Sequence, residues 1–375
     1  MKVILSGGGT GGHIYPALTI AGTLQRLDPQ CEITFVGTKK GLEKDIIPRY
    51  GYPLEFIEVA GFERHLGLST LKSAGKLLVG MREAYRLLGK IQPDLVIGTG
   101  GYVCGPILFW AAWKKIPTCI QEQNAMPGVT NKILSRFVDK VFLGYREAAK
   151  FFSSHGEKLF TGNPVRQEIL EAKREDGVQE FNLDPKKKTL LVFGGSRGAR
   201  AINTAMVEVE RTLAHNPHIQ ILHATGTAGY EKHVAMLGKE VMEAENIHVL
   251  PYLHAMPKAL AAADLAVSRA GAIGLAELMA RGIPSLLVPY PYATANHQEY
   301  NARALAAQGA AEVVLDKELT GTWLLDKMQQ LFNDPAMLQK MHQAALAAAR
   351  PDAAMTIAQT ALALAKQNEE DIHRG

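Results

Sequence analysis

Short, uninterrupted apolar runs alternate with longer stretches of helical pattern along the whole sequence, and no other feature restricts the fold as much. Residues 2–5, 33–36, 95–97, 118–121 and 140–143 read as buried strands in the first half. Residues 190–193, 220–224, 248–250, 265–268 and 285–289 read the same way in the second. A strand that is apolar at every position is covered on both faces, and helices between such strands return the chain for parallel pairing. The predicted class is α/β throughout. The halves also echo each other. A strand runs into glycines at Leu5-Ser6-Gly7-Gly8-Gly9-Thr10-Gly11-Gly12 and again at Val192-Phe193-Gly194-Gly195-Ser196-Arg197-Gly198. Residues 94–101 match residues 264–271, and each stretch is followed by an Ile-Pro, at Ile116-Pro117 and Ile283-Pro284. From Asp94 to Asp264 is 170 residues and from Pro117 to Pro284 is 167, so the register holds to within three. Two Rossmann-like parallel-sheet domains are expected, 1–163 and 164–350, divided at the turn-forming Gly162-Asn163-Pro164. Residues 173–188 read as charged and strandless, and an Ala-rich tail, 351–367, as a helix.

A chain of 375 residues can bury two or three cores. Its 41 Lys+Arg against 37 Asp+Glu leave a net charge of +4, too weak to indicate nucleic acid, and no such partner is expected. Cys31, Cys104 and Cys119 form no CxxC pair, which excludes a disulfide framework or zinc ribbon and suits a reduced compartment. The opening residues 1–6 lead straight into glycines, without the roughly 7–15-residue apolar stretch of a signal peptide. The longest apolar patch, 103–113, is broken by Gly105 and Pro106 and falls short of the ~20 residues that span a bilayer. Any membrane contact is therefore peripheral.

A strand ending in glycines that open a helix is a phosphate site, because the backbone approaches closely and the helix N-terminus presents unpaired N–H groups. Gly7-x-Gly9-x-x-Gly12 also fits the dinucleotide pattern, but the acid that should hold a ribose is replaced by Val36-Gly37-Thr38-Lys39-Lys40. There is no GxxxxGK[ST], which removes P-loop NTPases. His13 follows the first loop at the start of its helix and is placed for base work, the alternative being a structural histidine. Glu277, within Ala270-Gly271-Ala272-Ile273-Gly274-Leu275-Ala276-Glu277, suits a ribose diol or, more blandly, a helix dipole. Asn296 and Gln298 follow a strand where α/β sheets bind ligands and suit sugar hydroxyls. With no Asp-x-Asp, HExxH or metal-type spacing, no metal is expected. An anionic leaving group would then be met by loop amides, a helix dipole and Arg166, Arg197 or Arg269.

Six motifs taken in order resemble one family. They are Gly8-Gly9-Thr10-Gly11-Gly12-His13, Gly98-Thr99-Gly100-Gly101-Tyr102, Gln121-Glu122-Gln123-Asn124, Gly162-Asn163-Pro164-Val165-Arg166, the loop Gly194-Gly195-Ser196-Arg197-Gly198-Ala199-Arg200, and 270–277 with Gln298. Together they are similar to the bacterial MurG family of glycosyltransferases over essentially the whole chain. The resemblance implies a GT-B fold, two Rossmann-like domains facing across a cleft, with the C-terminal helix packed back on the first. It implies an inverting hexosyltransferase that moves GlcNAc from UDP-GlcNAc to the N-acetylmuramyl C4 hydroxyl of undecaprenyl-linked lipid I, giving lipid II, without a cofactor. Donor contacts would come from Thr10, Gly11, Gly12, Asn124, Arg166, Ser196, Tyr252, Leu253, Ala272, Ile273, Gly274, Leu275, Ala276, Glu277 and Gln298. Within that set Ser196 takes the diphosphate, Glu277 the ribose, Gln298 the GlcNAc hydroxyls and Tyr252-Leu253 the uracil. Gly9, Gly100, Gly101 and Tyr102 would meet the acceptor's diphosphate, and His13 would be the base. Tyr252-Leu253 stands where the family has Phe-Ile, and Arg197 where it often has Gln. Cell-wall synthesis and division proteins are implied as partners. Glycosidases need two carboxylates about the bond, and none are evident. The rival readings are another GT-B enzyme, a glycolipid glycosyltransferase or a UDP-GlcNAc 2-epimerase, and, from another class, an NAD-linked oxidoreductase.

Periodicity adds a surface independently of the family. On a helix over 69–90, Lys72, Lys76, Arg82, Arg86 and Lys90 share an arc of about 120°, with Glu83 the lone acid among them. Leu71, Ala74, Leu77, Leu78, Met81, Tyr85 and Leu88 lie opposite. The expectation is a peripheral protein on the cytoplasmic side of the cell membrane, docked on an anionic leaflet through this helix and the preceding loop, 60–68.

Overall fold

The computed structural model describes residues 1–59, 68–153, 155–195 and 198–374, with the side chains of 68–74 and 371–374 outside the description. The chain forms two compact units, Met1–Pro164 with Asp352–Gly375, and Val165–Pro351. In the first, seven parallel strands run β1 (Lys2–Gly7), β2 (Glu32–Gly37), β3 (Leu54–Phe56), β4 (Leu95–Gly100), β5 (Thr118–Glu122), β6 (Lys140–Leu143) and β7 (Glu157–Phe160) along the chain. Their order across the sheet is β3-β2-β1-β4-β5-β6-β7. In the second unit β8 (Lys188–Phe193), β9 (Ile219–Ala224), β10 (Ile247–Leu250), β11 (Leu265–Ser268), β12 (Ser285–Leu287) and β13 (Ala311–Val313) are arranged β10-β9-β8-β11-β12-β13.

Both orders reverse direction once, between β1 and β4 and between β8 and β11. Ligands of open α/β sheets bind beyond the C-terminal strand ends at that switch. The pairing there sets Ser6 beside Gly98 and Gly7 beside Gly100, so the first two glycine loops leave the sheet together. Ser268 likewise sits beside Phe193, which brings the loops after β8 and β11 together.

Three strands go unanticipated by the sequence, β3, β7 and β13, and all are outer strands of only 3–4 residues. An outer strand has one neighbour and keeps polar residues such as Glu55, Glu157, Lys158 and Glu312, so its apolar run is too short to register. The stretch 173–188 holds a helix, Arg174–Glu180. The C-terminal helix spans Ala353–Arg374 and packs along the helix Gly11–Leu27. Its Ile357, Ala358, Ala361 and Ala365 join Val3, Leu5, Ile14 and Phe35 in one buried cluster.

The helix Leu68–Ile91 forms, but its apolar side is turned from the expected direction. Ala84, Leu87 and Leu88 are the residues that face the core, whereas Leu78 is 72% exposed and Tyr85 48%. Trp110 of the helix Cys104–Trp113 explains part of the rotation, since its ring meets Tyr85 edge-on at 5.1 Å. Lys76 and Lys90 are also less free than the wheel suggests, being paired with Glu58 and Glu55. The side chains of Leu71, Lys72 and Ala74 lie outside the described residues, as does the segment 60–67.

Candidate functional site

In the first unit the loop after β1 opens the helix Gly11–Leu27, whose earliest internal bonds start at His13 N and Ile14 N, both donating to Thr10 O. The amides of Gly11 and Gly12 are thus the orphan donors of a helix N-terminus, and Thr10 and Gly12 are exposed. His13 folds back so that Nδ1 stands 2.9 Å from Gly8 O. A carbonyl only accepts, so Nδ1 carries the proton and the neutral ring keeps a lone pair at Nε2. Gly100, at φ +111°, leaves that side open, because a Cβ there would lie 3.0 Å from Nε2. Gly101 follows against Gly8, and Tyr102 is exposed.

Buried polar groups hold these loops. The Glu43 carboxylate is fully buried and accepts from Gly9 N at 2.9 Å and from Thr38 N and Oγ1 at 2.8 Å. The amide of Gly9 is therefore committed to Glu43. Thr99 Oγ1 donates to His13 O at 2.8 Å, and Gln123 Nε2 donates to Thr99 O at 2.6 Å. Glu122 Oε1 accepts from both Asn124 N and Asn124 Nδ2, which fixes Asn124 at the end of β5. Cys104 lies beneath the loops, its single S–H within 3.0 Å of both Ser6 O and Gly100 O, and burial pushes its thiol up to about 11. It is a packing residue, not a nucleophile.

In the second unit Glu277, on the helix Ala272–Ala280, is 6% exposed and accepts from Arg166 Nε and Nη2 at 3.0 and 2.9 Å, both on Oε1. Burial raises its carboxyl above the ordinary range and outweighs the opposing Arg166 charge. Gln298 Oε1 accepts from Ala270 N at 3.1 Å and Tyr290 N at 3.0 Å, so its amide can offer a ligand only N–H donors. Ala272, Ile273 and Gly274 form the first turn of that helix, with Leu275 N already donating to Gly271 O. The side chain of Leu275 is in the core, as is that of Leu253, while Tyr252 is exposed and packs edge-on against His254. Ala276 is buried as well.

Arg269 is ion-paired with Asp316 and donates to Val288 O and Pro289 O, which ties it to the loop after β12. Ser196 and Arg197 lie outside the described residues. Sequence reading missed Glu43 and gave Glu122 no separate role, although an acid directly after a glycine-bearing turn, as in Gly41-Leu42-Glu43, is the signal that could have marked the first.

Comparison with known proteins agrees with this arrangement. Residues 3–143 match the glycosyltransferase family 28 N-terminal domain and residues 189–357 its C-terminal domain. A protein of Desulforamulus reducens named UDP-N-acetylglucosamine–N-acetylmuramyl-(pentapeptide) pyrophosphoryl-undecaprenol N-acetylglucosamine transferase is 48% identical, covering 94% of this chain and 96% of its own. One of the same name from Listeria monocytogenes is 46% identical over 98% of this chain and 100% of its own. The crystal structure of Acinetobacter baumannii MurG superposes with a TM-score of 0.77 at 29% identity, over 96% of this chain and 99% of that one. A putative UDP-N-acetylglucosamine 2-epimerase from Listeria monocytogenes, at 15% identity and a TM-score of 0.70, shares the fold alone. The fold is GT-B, and the chain belongs to glycosyltransferase family 28, within the family of UDP-N-acetylglucosamine–N-acetylmuramyl-(pentapeptide) pyrophosphoryl-undecaprenol N-acetylglucosamine transferases.

Proposed function

We propose that this chain moves GlcNAc from UDP-GlcNAc to the N-acetylmuramyl C4 hydroxyl of lipid I, giving lipid II for peptidoglycan synthesis. The observation that carries this reading is the 48% identity to a transferase of that name over nearly both full lengths. The reaction is a single displacement with inversion, in which the C4 oxygen bonds to the anomeric carbon as the bond to UDP breaks. Nε2 of His13 takes the hydroxyl proton. Charge growing on UDP meets the first-turn amides of the helix Ala272–Ala280 and the loop after β8. Glu277 Oε2 receives the ribose hydroxyls while Oε1 stays with Arg166, and the Gln298 amide donates to the GlcNAc hydroxyls. Thr10, Gly11 and Gly12 reach the donor sugar, and Gly9, Gly100, Gly101 and Tyr102 face the acceptor's diphosphate. The purified chain, given UDP-GlcNAc and a lipid I analogue, is expected to release UDP and form a β-linked disaccharide. Conversion of UDP-GlcNAc to its 2-epimer without an acceptor would replace this reading with the epimerase one.

The same protein docks on the cytoplasmic face of the cell membrane. No helix among the described residues is long and apolar enough to cross a bilayer. Supporting a docking face on the first unit, Trp113 is 73% exposed and packs with Phe109, which meets Phe137. Leu78, Val79 and Tyr85 are exposed on the neighbouring helix, among the exposed Arg82 and Arg86, with Lys114 over the Tyr85 ring. Aromatic side chains seek the interface and cations an anionic leaflet. Charge reversal at Arg82 and Arg86 together with Trp113→Glu is expected to weaken sedimentation with anionic vesicles by roughly tenfold or more. Turnover of a water-soluble acceptor should persist. Unchanged vesicle binding would move the docking surface elsewhere.

A further inference from the structure

Outside the loops already described, the second unit buries a cluster of ionisable groups. Glu210 on the helix Arg200–Leu213 and His223 on β9 are fully buried, and His233 on the helix Tyr230–Leu237 is 2% exposed. His223 Nδ1 lies 2.8 Å from Glu210 Oε1, and His233 Nε2 lies 2.6 Å from Glu210 Oε2. The remaining nitrogen of His223, Nε2, is 3.3 Å from Asn203 Oδ1. Asn203 Nδ2 donates to Thr225 O at 2.8 Å, and that carbonyl can only accept, so the amide cannot be turned round. Both nitrogens of His223 therefore face acceptors, and the imidazolium is the form that satisfies them.

The chain of bonds ends at a particular place. Thr225 follows the C-terminal end of β9, and a Cβ on Gly198, in the loop after β8, would stand 2.0 Å from Thr225 O. A Cβ on Gly229 would stand 3.0 Å from the same oxygen. The glycine loop thus rests on the carbonyl that Asn203 holds. We infer that Glu210, His223 and Asn203 are positioning residues for the donor, a buried relay that fixes Thr225 O and through it the loop that meets the diphosphate. This rests on the reading that the second unit binds UDP-GlcNAc. The three side chains Glu210, His223 and His233 also offer ligand atoms within 4.8 Å of one another, a grouping that could hold a metal ion. The 2.8 and 2.6 Å separations are hydrogen-bond lengths.

The test compares three variants of the whole enzyme. His223→Asn keeps a donor towards Glu210 but loses Asn203, Asn203→Ala removes the last link, and His233→Gln keeps its donor. The first two are expected to raise KM for UDP-GlcNAc about tenfold, the scale of a lost charge-assisted hydrogen bond, with kcat within about threefold. The double variant should be no worse than either single one, and His233→Gln should match the parent. In the parent, 15N spectra of the histidine rings should show both nitrogens of His223 protonated. Folded His223→Asn and Asn203→Ala enzymes with the parent KM would overturn the inference, as would one equivalent of zinc retained on purification. A parent enzyme that does not bind UDP-GlcNAc would instead defeat the donor reading on which it rests.

Discussion

His13→Ala is expected to lower kcat by about 10²–10⁴, the usual worth of a general base, while leaving UDP-GlcNAc affinity nearly unchanged. The separation follows from the geometry. The ring is tied to the first unit through Gly8 O, and its Nε2 lies beside Gly100, among the loops assigned to the acceptor. A carbonyl that selects the Nδ1–H tautomer performs the orienting task that a carboxylate performs in other enzymes. His13→Gln is the sharper control. It places an amide near the position of Nε2 and keeps the packing, yet has no basic lone pair, so it should be as slow as the alanine variant. The acid limb of the kcat profile should disappear in both. Turnover within a few-fold of the parent in either variant would assign the proton to another group, such as the acceptor's own phosphate.

Glu277→Gln is expected to weaken UDP binding by about 1–3 kcal/mol, the cost of losing a hydrogen bond to a charged group, as read by titration calorimetry. Burial raises this carboxyl above its ordinary range even though Arg166 opposes the shift. The parent's affinity for UDP should accordingly fall on the acid side while the carboxyl is still above ordinary carboxylate values, and the Gln variant should show no such step. For stability the sign is opposite. A raised carboxyl contributes fully below its unfolded pKa, and that contribution is lost as pH climbs through the raised value. Arg166→Leu removes the guanidinium bonded to Glu277 among the described residues and should deepen the loss at neutral pH, because an unpaired buried charge costs several kcal/mol. A folded Glu277→Gln enzyme with the parent's UDP affinity would take Glu277 out of the donor site.

The chemistry-bearing loops were legible because each is local. A buried strand, its glycines and the first helical turn occupy about a dozen consecutive residues, as in 2–13 and 265–277, and the apolar run announces the strand before the motif is reached. What supports those loops was not legible. Glu43 meets Gly9 across 34 positions, Gln123 meets Thr99 across 24, and the Asn203–His223 pair is 20 apart, so their contacts come from sheet order rather than from spacing. The helix Leu68–Ile91 failed for a related reason. Periodicity separates an apolar arc from a basic one, but the neighbouring Cys104–Trp113 helix decides which arc is covered, and it presents Trp110 where Tyr85 stands. Arg269 illustrates the converse, a cation whose partner, Asp316, arrives 47 residues later.

The return of the last helix to the first unit has a consequence for synthesis on the ribosome. Val165–Pro351 is an insertion in a unit whose own chain is completed only by Asp352–Gly375. Domains usually fold in the order in which they emerge. Here the sequence of the inserted unit is complete at Pro351, while the leading one still lacks Ile357, Ala358, Ala361 and Ala365 from its central cluster. Until those residues emerge, the helix Gly11–Leu27 has an uncovered apolar flank directly behind the His13 loop. A released chain ending at residue 351 should therefore resist protease in its second unit and be cut in its first, so that the half carrying His13 is the last part of the enzyme to mature.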